Sequence, residues 1–238
     1  MKEFTQDYIL NGKIKLQQPK DGYRVAIDPI LLAAYVHVKP NQKILDAGCG
    51  VGAISLILKS REPSLRITAV DLDAEMCRLC KQNAELNAYD INVVNCGVED
   101  IRSFTQQEDF DQIVTNPPFF RKEASRISDK KQLANFETIK LDKWITFCIK
   151  KLKNGGVFSI IHSATRTGDI LQTAMAYLGD ITIVPIYSKC GTDAKRVIIT
   201  GKKGRKSDMK IAPGVIVHND DNSYTEIAKK ILAGEEFQ

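Results

Sequence analysis

Lys43-Ile44-Leu45-Asp46-Ala47-Gly48-Cys49-Gly50-Val51-Gly52 carries a short apolar run into three alternating glycines, and an apolar stretch from Ala53 to Ser60 follows at once. The run reads as a buried strand, the glycines as a turn, and 53–60 as a helix. Glycine takes φ > 0 without steric penalty and lets a backbone approach a ligand closely. A helix that begins on such a turn adds unpaired N–H groups at its start. The spacing is GxGxG, unlike the GxGxxG of dinucleotide binders, and it lacks the Lys-Ser/Thr of a P-loop. Asp46 stands just before the glycines. A carboxylate there is poorly placed for a pyrophosphate and well suited to a cationic ligand.

Working outward, Leu65 to Val70 reads as a second strand that ends at Asp71. An acid at that position can accept both hydroxyls of a ribose, as in dinucleotide folds. An adenosine bearing a positively charged amino-acid sulfonium arm fits Asp46, the glycines and Asp71 better than NAD does. Residues 74–86 read as a helix, 91–94 and 110–114 as strands, and 142–151 as a helix closed by Asn154-Gly155-Gly156. A strand over 157–161, a helix over 168–178 and strands over 181–187 and 196–200 follow. Strands separated by helices predict an α/β, doubly wound, mostly parallel sheet with helices on both faces. The last two strands have no helix between them, which predicts an antiparallel strand at one edge.

Upstream, Asn11-Gly12 marks a hairpin of 8–10 with 13–16. Asp28-Pro29 reads as an N-cap with proline at the first helical position, opening a helix over 30–36 that Pro40-Asn41 ends. Tyr224 to Leu232 reads as a final short helix.

The chain has 238 residues, enough for one domain with a small extension. No apolar run reaches the roughly 20 residues of a membrane span. The first residues lack an apolar signal segment, so the cytoplasm is the expected compartment. Six cysteines are scattered, and the Cys77-x-x-Cys80 pair has neither a second pair nor nearby histidines to complete a zinc site. Metal binding is therefore not expected. The net charge of +5 is mild, but basic residues cluster in two places. Arg121, Lys122 and Arg126 form one group, and Lys202, Lys203 and Arg205 the other. Each is either a solvated surface run or a place to neutralise phosphates.

The second chemical feature is Thr115-Asn116-Pro117-Pro118-Phe119-Phe120, directly after the strand over 110–114. Two consecutive prolines donate no ladder hydrogen bonds, so the strand must stop there in a rigid turn. The turn offers an amide side chain, free carbonyls and an aromatic ring. The amide oxygen of Asn116 and the carbonyl of Pro117 are acceptors that can grip an NH2 group. Phe119 or Phe120 can stack on a planar base. The alternative reading is a strand-ending turn with a packed phenylalanine.

Asp46 to Gly52, Asp71 and Asn116-Pro117-Pro118-Phe119 together resemble the class I S-adenosylmethionine-dependent methyltransferases that carry an NPPY or NPPF motif. Gln18-Pro19, Gly22-Tyr23-Arg24, Asp28, Leu31-Leu32-Ala33-Ala34, Tyr224-Thr225, Ile227 and Ile231-Leu232 extend the likeness to the bacterial tRNA(Val) adenosine N6-methyltransferase family. The resemblance implies a Rossmann-like, seven-stranded sheet with S-adenosyl-L-methionine as cofactor and RNA, tRNA before other kinds, as partner. It implies a methyltransferase domain over 41–204, between a hairpin-and-helix extension over 1–40 and a C-terminal extension over 205–238. Asp46, Gly48, Gly50 and Gly52 match the methionine side of the cofactor site, and Asp71 matches the ribose ligand. Asn116, beside both cofactor and target, and Pro117 match the acceptors for the target amine, with Phe119 as the stacking ring. The two basic clusters become candidates for RNA phosphates, and Asp28 and Tyr23 could close over the cofactor. One position departs from the pattern. Gly97 stands where the family usually has an aspartate for the cofactor adenine, leaving Glu99, Asp100 or backbone groups to contact it.

The same NPPF chemistry serves guanine N2 in rRNA, adenine in DNA and the side-chain amide of a protein glutamine. A DNA enzyme usually carries a separate recognition domain, and a glutamine enzyme a larger N-terminal helical domain. Only about 40 residues precede the glycine loop here. A non-catalytic RNA-binding module would be marked by a degenerate asparagine or a broken glycine loop, and neither occurs.

Overall fold

The computed structural model describes residues 3–21, 24–103, 110–118 and 139–237. The chain opens with a hairpin of β1 (Phe4–Ile9) and β2 (Ile14–Pro19), turned through Asn11 and Gly12 at φ of 54° and 86°. Then come α1 (Ile27–Tyr35), β3 (Lys43–Ala47), α2 (Ala53–Arg61), β4 (Arg66–Asp71), α3 (Ala74–Leu86) and β5 (Asn92–Asn95). A 3-10 turn over Val98–Ser103 leads toward β6 (Phe110–Thr115). The second half holds α4 (Leu141–Lys151), β7 (Leu152–Ser163), α5 (Thr167–Ala174), β8 (Leu178–Tyr187) and β9 (Ala194–Lys203). Two short strands, β10 (Lys210–Ile211) and β11 (Val215–Ile216), precede α6 (Glu226–Leu232).

The main sheet runs β5-β4-β3-β6-β7-β9-β8-β10, with β11 also on β8. The strands β5, β4, β3, β6 and β7 are parallel, and β9 is antiparallel to both β7 and β8. The seven expected strands are present, and the antiparallel one, β9, lies between β7 and β8 rather than at the edge. β10 and β11 pair along β8 and cover backbone groups that an open edge would expose. From β3 the chain winds outward through β4 and β5, then returns to add β6 on the other side. The gap between the C-terminal ends of β3 and β6 is therefore a topological switch point, where open α/β sheets bind ligands.

Alternation along the strands builds two cores. Ile44, Val114, Ile161 and Ile198 face the layer of α1, α2 and α6. Leu45, Ile113, Ile160 and Ile199 face that of α4 and α5. This period-2 assignment of neighbours to opposite faces is what a parallel sheet buried on both sides requires.

Three local expectations change. Asp28 does not cap α1: the cap position is Ala26, and Asp28 and Pro29 fall inside the first turn. Its buried carboxylate instead accepts a 2.8 Å bond from Arg196 Nε of β9. Asn154-Gly155-Gly156 does not close α4 as a separate turn. It forms an irregularity inside β7, where the pairing shifts between Phe110/Leu152 and Gln112/Val157. Finally, α5 stops at Ala174 and β8 begins at Leu178, because the chain turns back into the sheet earlier than periodicity suggests.

The N-terminal hairpin is held by side chains that imitate a strand. The Asn83 amide of α3 bonds both the N–H and the C=O of Gln17, and Asn87 does the same for Lys15. Asn83 also donates to the Val51 carbonyl at 2.9 Å, tying the hairpin to the glycine loop. Gln18 and Arg24 lock its other side through Asp7, Val25 and Thr5. At the far terminus Phe237 meets Tyr35 at 5.5 Å between ring centroids, and the Arg61 guanidinium binds the Ala33 and Val36 carbonyls and Glu236. No described helix is long and apolar enough to cross a membrane.

Candidate active site

The glycine loop leaves β3 at the switch point. Its glycines hold φ of 73° at Gly48, 53° at Gly50 and 90° at Gly52, a region costly for other residues. Space adds a second constraint at two of them. A Cβ at Gly48 would lie 3.0 Å from the Trp144 ring, and one at Gly52 would lie 2.6 Å from Cys80 Sγ. At Gly50 a Cβ would meet nothing within 4 Å, so this part of the loop faces open space. The loop is pinned from below by Val70, whose carbonyl accepts from both Gly48 and Cys49 N–H at 2.9 Å.

Two acids flank the loop. Asp46 is fully buried, and its Oδ2 accepts from Ser55 Oγ at 2.7 Å and Ser55 N at 3.2 Å in the first turn of α2. Its Oδ1 is buried and has no hydrogen-bond partner among the described residues. Burial pushes the Asp46 carboxyl up to about 6; the Ser55 bonds pull it down, and the nearby Asp71 carboxylate adds a further upward push. Asp71 ends β4 and accepts from Gly50 N at 2.8 Å and Asp73 N at 2.9 Å. Burial raises its affinity for a proton too, against those same amide bonds. A buried carboxylate with an unmet acceptor and a raised proton affinity is a place prepared for positive charge.

Asn116 follows β6, the neighbour of β3 across the switch point. The register sets Thr115 opposite Ala47, so Asn116 and Gly48 leave adjacent strand ends side by side. Thr115 Oγ1 donates to the Ala47 carbonyl at 2.7 Å, and Trp144 Nε1 donates to Thr115 Oγ1 at 3.0 Å. This relay fixes the asparagine turn and the glycine loop to one another. Asn116 is half-buried with its side-chain oxygen withdrawn from solvent; Pro117 is buried and Pro118 exposed.

The structure thus brings Asp46, Gly48, Gly50, Gly52, Asp71, Asn116 and Pro117 to one end of the sheet. Phe119, Phe120, Arg121, Lys122, Arg126 and Tyr23 lie outside the described residues. Lys202, Lys203 and Arg205 are not at this end. β9 runs against the parallel strands, so its last residues lie where those strands begin, with Lys202 opposite Val157. There Lys202 Nζ pairs with Asp180 at 2.6 Å, and Lys203 Nζ bonds the Leu152 carbonyl at 2.7 Å, just past the end of α4. Both contacts lie at the end of the sheet remote from the glycine loop.

Sequence reading misses two residues of the site. Trp144, the chain's one tryptophan, sits on Gly48 and anchors Thr115. Its place on the amphipathic α4, beside buried Ile145 and one turn before buried Cys148, reads locally as core. Asn83 is visible in sequence only as a polar residue in α3; its full burial is the signal that marks it.

The chain matches the methyltransferase small domain model over residues 26–167. It is 28% identical to a tRNA1(Val) (adenine(37)-N6)-methyltransferase from Haemophilus influenzae, over 89% of this chain and 90% of that protein. A protein of the same description from Phocaeicola vulgatus is 32% identical over 75% of this chain and 76% of its own length. Among solved structures, the fold is similar to the T. thermophilus 16S rRNA N2 G1207 methyltransferase, solved with AdoMet and guanosine. That match has a TM-score of 0.60 at 18% identity, over 84% of this chain and 50% of the other.

Proposed function

This chain belongs to the methyltransferase small domain family, whose cofactor is S-adenosylmethionine, and we propose that it methylates the exocyclic N6 amine of an adenosine in tRNA, beside the anticodon of tRNA(Val). The observation that carries this reading is the Thr115–Ala47 bond, which fixes an asparagine-proline turn beside a glycine loop flanked by buried Asp46 and half-buried Asp71. The residues present fit the cofactor: Asp46 Oδ1 is a buried acceptor with no partner among the described residues, and the loop at Gly50 is open.

When bound, S-adenosylmethionine supplies an electrophilic methyl group on a positively charged sulfur. Asp46 sets a negative charge beneath the loop that receives the cationic end, and Asp71 accepts from the ribose. An adenine amine is a weak nucleophile, because its lone pair is delocalised into the ring. The Asn116 side-chain oxygen and the Pro117 carbonyl accept its two N–H bonds and orient the lone pair. They also stabilise the positive charge that develops on nitrogen during attack. The remaining work is alignment of nitrogen, methyl carbon and sulfur, for which the rigid proline turn and the Trp144–Thr115 relay hold position. Phe119 stacks on the extruded base.

The tRNA assignment draws on the relatives that match nearly the whole chain. Nucleoside mass spectrometry of tRNA and rRNA from cells with and without the gene tests it. Loss of N6-methyladenosine from one tRNA is the expected result. An unchanged tRNA profile with altered N2-methylguanosine in rRNA, or altered glutamine methylation, would overturn it.

A further inference from the structure

Gly97 leaves the cofactor's adenine without the acid that an aspartate at this position would supply. The surrounding structure points to a replacement. Gly97 is buried and follows β5, the strand next to the one that ends at Asp71. Cys96 N donates to the Asp71 carbonyl at 3.0 Å, which ties this turn to the ribose-side acid. A Cβ built on Gly97 would not meet empty space. It would lie 2.5 and 2.8 Å from the two carboxylate oxygens of Glu99 and 2.6 Å from its carboxyl carbon.

Those distances have a simple meaning. An aspartate's own oxygens stand about 2.4 Å from its Cβ, from standard bond lengths and angles. The Glu99 oxygens therefore occupy the shell around Gly97 that the carboxylate of an aspartate at this position would occupy. Glu99 reaches it by folding back over the glycine from the 3-10 turn that begins at Val98. Glycine at this position is what makes the room, since any side chain there would displace the carboxylate. Glu99 Oε2 is buried and lacks a hydrogen-bond partner among the described residues. A carboxylate oxygen withdrawn from water and left unmatched is costly unless a donor arrives. Asp100, the other acid of the turn, is exposed.

We propose that Glu99 is the acceptor for the exocyclic amine of the cofactor's adenine, so that Gly97 and Glu99 together do the work of a single aspartate in the glycine's place. The proposal rests on the cofactor and not on the identity of the RNA. It makes Glu99 a specificity residue: a carboxylate accepts from an amine and repels the carbonyl oxygen that replaces it in a deaminated purine.

The test is calorimetric binding of S-adenosylhomocysteine and S-inosylhomocysteine, which differ at that one group. The wild-type protein is expected to prefer the adenosyl compound by roughly 10- to 100-fold, the scale of one hydrogen bond to a charged group. Glu99→Ala should bring the preference close to one, mainly by weakening the adenosyl compound. Adding Gly97→Asp to Glu99→Ala should restore it. A Glu99→Ala protein that keeps the wild-type preference overturns the proposal. If Glu99→Ala does not fold, the double variant decides: retained preference supports the proposal and lost preference overturns it. Failure of the wild-type protein to bind either compound would instead remove the cofactor assignment itself.

Discussion

The two ends of the sheet use the same residue types to opposite effect. Where the parallel strands begin, acids meet bases. Lys153 lies 2.8 Å from Asp111, and Lys202 lies 2.6 Å from Asp180. Burial works against the Asp111 charge, yet the Lys153 ammonium and the Lys43 amide hold its carboxyl below the usual value. The hydrogen bond from Lys202 holds Asp180 down in the same way. Where the strands end, Asp46 and Asp71 accept from a serine and backbone amides instead of from cations. Burial drives Asp46 up to about 6 and raises Asp71 as well. At one end the acids are met by cations; at the other, Asp46 Oδ1 is buried with no hydrogen-bond partner among the described residues. Strain and unmet charge concentrate at functional sites because the rest of the fold can sustain them.

This contrast can be broken most sharply at Asn116. Asn116→Ala should reduce methyl transfer by at least about 100-fold, the scale for removing one positioned polar group at a reacting centre. Its affinity for S-adenosylhomocysteine, read by calorimetry, should stay within a few-fold of wild type. Asp71→Ala is next. It removes an acceptor from the ribose side and releases the Gly50 amide, so the affinity for S-adenosylhomocysteine should fall by roughly 10- to 100-fold.

Asp46→Asn should separate stability from binding. The folded Asp46 titrates near 6 against an ordinary value of 3.8, so the folded chain holds a proton that the unfolded chain has released between those values. Its contribution is fully present below about pH 4 and is lost as pH rises through about 6. The asparagine keeps an acceptor for Ser55 without the buried charge. In urea titrations the variant should be more stable than wild type at pH 8, by an amount on the order of 2 kcal/mol. That gain should vanish near pH 4, while the variant's affinity for the cationic cofactor falls. A variant less stable than wild type at pH 8 would contradict this reading of Asp46.

The smallest effect belongs to the far end. Lys202→Ala and Lys203→Ala should leave methyl transfer to tRNA unchanged and lower stability by about 1 kcal/mol or less, because exposed ion pairs and single cations at a helix end contribute little. A strong loss of tRNA affinity on a filter-binding assay would instead place these lysines on the RNA surface.

Much of this is legible in sequence wherever the physics is local. The alternation of strands and helices, the glycine turn after β3 and the proline stop after β6 each depend on a few adjacent residues. Misreadings arise where a distant partner decides. Asp28 reads as a cap until Arg196, 168 residues away, takes its carboxylate. Trp144 and Asn83 read as ordinary helix residues until the register of β6 against β3, and of β2 against α3, places them at the loop.

The decisive measurement incubates the purified protein with unmodified tRNA and S-adenosylmethionine labelled on the methyl group, then digests the RNA and identifies the labelled nucleoside. N6-methyladenosine is expected from the wild-type protein and almost none from Asn116→Ala. Label in another nucleoside, label in protein, or equal yield from the variant would contradict it.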